Sequence, residues 1–264
     1  GDVVYLYATD RTAQYSYSRG AEEKGYNVLL LDGQLDQHLI QMLESKLGKT
    51  RFVRVDSDTP ERLIRKQDEK NADVSPLQAD LLTGIFRSQI PAIDNTNFIV
   101  EYNSLSAGDA PATVTQNEMM RRMKEMAAMQ QGMNFYGQMP DMYALVVNTE
   151  QPVVKKVLAD AVEALETEVG PLRAKVDSDN SEIEKLRKEM DSKKEESEKK
   201  ELRDKISEIE KEVGDTRSSE EKLIADYASE QPVVKQIIDL ALLQSNLLRG
   251  EALAAFIHRS VSLL

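Results

Sequence analysis

The sequence contains no cysteine and no tryptophan, only two histidines, and aromatic residues fill 5% of its 264 positions. Without cysteine there are no disulfides, thiolate metal sites or thiol nucleophiles, and a reducing compartment, the cytoplasm by default, is expected. His38 and His258 fall in separate predicted helices. Neither stands in a metal-ligand spacing such as two histidines four residues apart. A serine elbow, a phosphate-binding glycine loop and a paired-carboxylate signature are likewise missing, so no catalytic residue, metal or cofactor is assigned to this chain. There is no run of eighteen apolar residues and no charged-then-apolar leader, so neither a membrane span nor a signal peptide is expected. Positive charge is the minority: 34 Lys and Arg against 46 Asp and Glu leave a formal net charge of -12, which disfavours nucleic acid as a partner. The chain opens Gly1-Asp2 and enters a strand at once, which reads as a piece cut from a longer polypeptide.

What is present begins with a βαβαβ pattern. VVYLY (3–7), NVLLLD (27–32) and TRFVRV (50–55) have strand composition, and helical periodicity fills the stretches between them. Such sheets often hold nucleotides through a glycine-rich turn after the first strand, but the turn here, YATDRTAQ, has no glycine. A structural α/β layer is the better reading. The polar stretch 56–75 places a domain boundary near residue 74. Beyond it the pattern predicts a helix from Pro76 to Gln89, two extended runs forming a hairpin around SAGDAP, a methionine-rich helix, and a strand over 142–149. The fold class is α+β.

From Val162, apolar residues recur at alternating three and four (Leu165, Val169, Leu172, Val176, Ile183, Leu186, Met190), lapse over 191–201, and resume at Leu202, Ile206, Ile209 and Val213. This predicts two antiparallel helices in a coiled-coil hairpin, with a kink or break at Gly170-Pro171. The hairpin reads equally as a solvated spacer or a partner-binding arm. EQPVVK at 150–155 recurs at 230–235, each copy with proline where a helix starts. The last 35 residues form two helices too apolar for one buried face, and two such pairs would make a four-helix bundle in a dimer.

Seven of the ten methionines lie in residues 119–140, and Met142 is an eighth. On a helical wheel Met119, Met123, Met126 and Met133 share an arc of about 80°, with Arg121, Lys124 and Glu125 on the other face. A methionine stripe is ordinarily core. Long unbranched thioethers on an exposed face instead suit promiscuous binding, and elsewhere this chain specifies its core with leucine and isoleucine.

The succession of VLLLDGQLDQHLIQMLE, TQNEMMRRMKEM, GMNFYGQMPDMYALVVNTEQPVVKKVL and QIIDLALLQSNLLRGEALAAFIHRSVSLL resembles the bacterial HtpG branch of the ninety-kilodalton heat-shock protein chaperones. The resemblance covers nearly the whole chain apart from residues 163–222, which look like an insertion. It implies that residues 1–73 are the last α/β portion of a middle domain and residues 74–264 a C-terminal dimerisation domain. It also implies an ATP-binding domain, with its ATP and magnesium, upstream of a stretch that does not itself hydrolyse ATP. It implies binding of unfolded or partly folded clients through Met119, Met123, Met126, Met129, Met133 and Phe135, and homodimerisation through Ile237, Leu240, Leu247, Leu253, Phe256 and Val261. A coiled-coil scaffold without client binding, and a nucleotide-dependent α/β protein, are the alternatives.

Overall fold

A computed structural model describes residues 3–33, 35–63, 72–129, 139–193 and 195–261. Two compact units emerge: residues 1–73, 90–155 and 233–264 form one, and residues 74–89 with 156–232 the other.

In the first unit, β1 (Val3–Ala8), β2 (Val28–Leu30) and β3 (Thr50–Arg54) form a parallel sheet in the order β2-β1-β3. The two-residue period of β1 divides the core. Leu6 and Ala8 join Val53, Val55 and, from helix α1 (Tyr15–Glu23), Tyr17 and Ala21. Tyr7 instead packs with Phe52 and with Ile40 of helix α2 (Asp36–Leu47). Helix α1 ends just ahead of Gly25, whose φ of 85° would strain a side chain. The leucines of β2 are not buried as their composition suggests; Leu29 and Leu30 lie on an exposed sheet edge.

A second sheet in this unit corrects one expectation. The strands β4 (Thr96–Asn103) and β5 (Ala112–Gln116) do not form a hairpin; β6 (Asp141–Asn148) lies between them, parallel to β4 and antiparallel to β5. The cause is hydrophobicity: Leu145, Val146 and Val147 are fully buried, so the strand that carries them takes the centre, and β4, only partly buried, takes an edge. The two sheets are tied where the Tyr17 hydroxyl donates to the Val114 carbonyl (2.6 Å) and the Gln116 amide to the Asp56 carbonyl (3.0 Å).

The second unit is helical. Short α3 (Pro60–Leu63) belongs to the first unit; α4 (Pro76–Gln89) packs here against α7 (Glu196–Ser229), and α6 (Pro152–Ser192) enters from the first unit. Val176 and Ile183 of α6 are buried in one cluster with Ile206 and Val213 of α7, and Leu186 and Ile209 are packed alongside. Arg187 bonds Glu210 (2.7 Å) and Lys175 bonds Glu212 (3.3 Å) across the seam. No break occurs at Pro171: α6 is continuous through it, with Val169 and Val176 buried on either side. Seam packing on both flanks compensates for the missing donor.

Glycine has opposite roles in two of these helices. A Cβ at Gly84 would meet the Ile224 side chain at 3.0 Å, whereas one at Gly214 meets nothing within 4 Å. Gly84→Val should therefore destabilise by about 1–3 kcal/mol through overpacking, and Gly214→Ala should stabilise by up to about 1 kcal/mol. Urea unfolding of both variants checks the signs; destabilisation by Gly214→Ala would refute the open environment.

Candidate functional site

Helix α5 (Glu118–Met129) carries the methionine run and buries part of its charged face. Arg121, which the sequence places on the face opposite the methionines, is 4% exposed. Its guanidinium donates to Glu118 (2.7 Å), to Glu125 (2.5 Å) and to the Tyr7 hydroxyl of β1 (2.8 Å). Its neighbour Arg122 reaches Glu118 (2.7 Å), Glu44 of α2 (2.9 Å) and the Phe52 carbonyl of β3 (2.6 Å). Glu44 in turn accepts from the Phe52 amide (2.8 Å), and the Ser57 hydroxyl donates to Glu118 (2.6 Å). Charge-assisted hydrogen bonds are roughly twice as strong as neutral ones, and a buried charge is costly to leave alone. The charged arc is thus the inward one, and the helix docks on the α/β layer through it.

The methionines take the remaining directions. Met119 is 70% and Met126 46% exposed, and Met123 is half-buried. The Met126 sulfur accepts a 3.8 Å contact from Gln41. Met120 and Met123 line a crevice of about 10 Å³ with Met139 and Met142, at the start of β6. Exposed and packed methionines therefore occur on one helix. Only the backbone of Met129 is described, and Met133 and Phe135 lie outside the described residues.

A second surface is formed by α8 (Pro232–Gln244) and α9 (Gly250–Val261). Of the predicted interface residues, Ile237 and Phe256 are buried within the chain itself, Leu247 and Leu253 are half-buried, and Leu240 (46%) and Val261 (63%) are exposed. Leu243 and Ile257, also among the apolar residues of these helices, are exposed too. The pair is joined internally by Asp239, 1% exposed, which accepts from Lys235 (2.8 Å) and from Arg259. Arg259 also donates to Gln236 (3.1 Å).

Among the described residues no three His, Cys, Asp or Glu side chains are placed to hold a metal ion, and no helix is long and apolar enough to cross a membrane. No protein-family model matches the chain. Its curated relatives are chaperone proteins, aligned to it over their C-terminal part. The chain belongs to the HtpG family. It is 43% identical over 264 residues to chaperone protein HtpG of Bacteroides thetaiotaomicron and 44% identical over 264 residues to that of Porphyromonas gingivalis. To the protein of Bacteroides fragilis it is 41% identical over 263 residues. In each case all of the chain is covered and it spans 39% of the relative's length.

The charge network under α5 has a pH signature. Burial raises the Glu118 carboxyl, but hydrogen bonds and charge from Arg121, with Ser57 and Arg122, outweigh it and hold the group at about 2 against an ordinary 4.5. A depressed carboxylate stabilises the fold fully above its unfolded pKa and progressively less as pH falls toward the folded one. Glu118 should therefore contribute on the order of 3 kcal/mol above pH 4.5, lost as the pH approaches 2. Urea midpoints across this window should fall steeply for the parent chain and more shallowly for Glu118→Gln; parallel curves would refute the assignment.

Proposed function

We propose that this chain is the polypeptide-holding and dimerising part of an ATP-dependent molecular chaperone, presenting a methionine face to unfolded or partly folded client proteins. The observation that carries the reading is the outward arc of α5, where Met119 and Met126 are exposed on a helix whose charged arc is already occupied by the α/β layer. Flexible, polarisable thioethers adapt to apolar segments of different shape, as a surface without a fixed sequence preference requires. Met123, Met129, Met133 and Phe135 are further client-binding candidates in this reading.

Homodimerisation rests on the exposed Leu240, Leu243, Ile257 and Val261 of α8 and α9. Two such faces brought together complete a four-helix bundle. A dimer carries two methionine faces, so two weak contacts on one client reinforce each other. Residues 1–73 are then the last part of a middle domain and 74–264 the dimerisation domain, with residues 163–222 as an inserted coiled-coil hairpin. ATP and magnesium belong to a domain upstream, the location is cytoplasmic, and the net charge of -12 argues against nucleic acid as a partner. Assembly through the hairpin, the scaffold alternative, is less favoured because Val176, Ile183, Ile206 and Val213 already bury one another.

Each half of the reading has its own test. Leu240→Glu with Val261→Glu should give folded monomers in light scattering across a dilution series, since both side chains are exposed in the single chain. Unchanged dimers would remove the interface from α8 and α9. Met119→Ser with Met126→Ser should leave the melting temperature within a few degrees and weaken binding of a fluorescent unfolded client about tenfold. A large fall in melting temperature would instead make these side chains part of the core.

A further inference from the structure

The two sheets of the first unit end in four edge strands, and three of these are short or already engaged. On β3 the Phe52 amide donates to Glu44 and the Phe52 carbonyl accepts from Arg122. On β5 the Val114 carbonyl takes the Tyr17 hydroxyl, and the Gln116 amide bonds Asp56. Strand β2 has only three residues. Strand β4 is the exception: it has eight residues, none of them buried, and β6 is the only described element that runs beside it.

The phase of the β4 backbone follows from its two ends. The Asn95 carbonyl accepts from the Asp141 amide (2.8 Å) and the Asn103 carbonyl from the Thr149 amide (2.9 Å), so the odd-numbered residues turn their N–H and C=O toward β6. The even-numbered ones turn theirs outward. The Thr96 amide is used by Ile93 (3.2 Å), but among the described residues nothing bonds the outward backbone of Phe98, Val100 or Tyr102. Three donors and three acceptors stand open in a row. No proline or lysine blunts the strand, and its one charge, Glu101, is paired with Arg62.

The side chains of the same three residues end an apolar row. Phe98, Val100 and Tyr102 are half-buried and lie beside Tyr143, Leu145 and Val147 of β6, which are followed on β5 by Gln116, Val114 and Ala112. Phe98 stacks on Tyr143 at 5.6 Å. A fitting partner therefore offers alternating backbone donors and acceptors together with an apolar side chain at every second residue. A polypeptide in extended conformation has both.

We propose that the outer edge of β4 takes an extended segment of another polypeptide as an added strand, held by the backbone of Phe98, Val100 and Tyr102. The partner class is that of the preceding reading but the site is a different one, and the test separates the two.

The test is calorimetric titration of the 264-residue chain with acetyl-Lys-Thr-Val-Thr-Val-Thr-Val-Thr-Lys-amide and with two N-methylated versions, one methylated at the valines and one at the threonines. The parent peptide should bind with a dissociation constant on the order of 0.1–1 mM. An added strand turns one set of amides to β4 and the other to solvent. One methylated peptide should therefore bind at least about tenfold more weakly and the other like the parent. Val100→Pro removes one outward N–H, leaves the ladder to β6 in place and should weaken binding about tenfold. Its melting temperature controls for folding, and the methylated pair tests the same contact on the unaltered chain. Met119→Ser with Met126→Ser should leave binding of this peptide unchanged. Equal effects of the two methylations, indifference to Val100→Pro in a folded variant, or loss of binding in the methionine variant would overturn the proposal. Absence of peptide binding would overturn it too, and a fall in the mass of the chain on Val100→Pro would then assign the edge to a second copy.

Discussion

A guanidinium buried at Arg121 is the constraint on which the arrangement of the methionine helix depends. Removed from water, it is tolerable only if several acceptors meet it at once, and Glu118, Glu125 and Tyr7 do so. Glu118 is shared with Arg122 and Ser57, and Arg122 with Glu44, so one network joins α5 to β1, β3 and α2. Turning α5 half a revolution to bury its methionines would strand every one of these charges. The exposure of Met119 and Met126 is therefore imposed by electrostatics from beneath, and hydrophobic packing does not reverse it.

The terminal helices repeat the principle. Asp239, Lys235, Arg259 and Gln236 form a polar lock between α8 and α9, while Leu240, Leu243, Ile257 and Val261 remain outside. In both places polar groups make the internal attachment and leave an apolar surface free. The geometry of the lock, fixed by directional hydrogen bonds, holds that surface in shape.

The periodic features were legible in sequence because burial is a one-body property of a strand or helix face. The three parallel strands, the α6–α7 seam and the proline-started helices are of this kind. What could not be read depends on partners distant in the chain. Which strand lies between β4 and β5 is decided by competition for the sheet centre, and β6 wins through Leu145, Val146 and Val147. The burial of Arg121 is of this kind, since its acceptor Tyr7 lies 114 residues away. The spacing Glu118-Arg121-Arg122 hinted at mutual pairing, but not at the layer beneath.

The repeated EQPVVK segments supply an internal control on the terminal surface. Both start a helix at the proline, α6 at Pro152 and α8 at Pro232, and the matched positions are buried alike: Val154 with Val234, Val157 with Ile237, Leu158 with Ile238, Ala161 with Ala241. One inward face is thus written twice. The outward faces differ. Where α6 places Asp160 and Glu163 in solvent, α8 places Leu240 and Leu243, equally exposed in the single chain. Helices that need only one buried side acquire charge on the other, as α6 has done. With the inner packing held constant, the two helices differ in what they leave outside, acid on α6 and leucine on α8, so the outward apolar face of α8 is not a by-product of its inner packing.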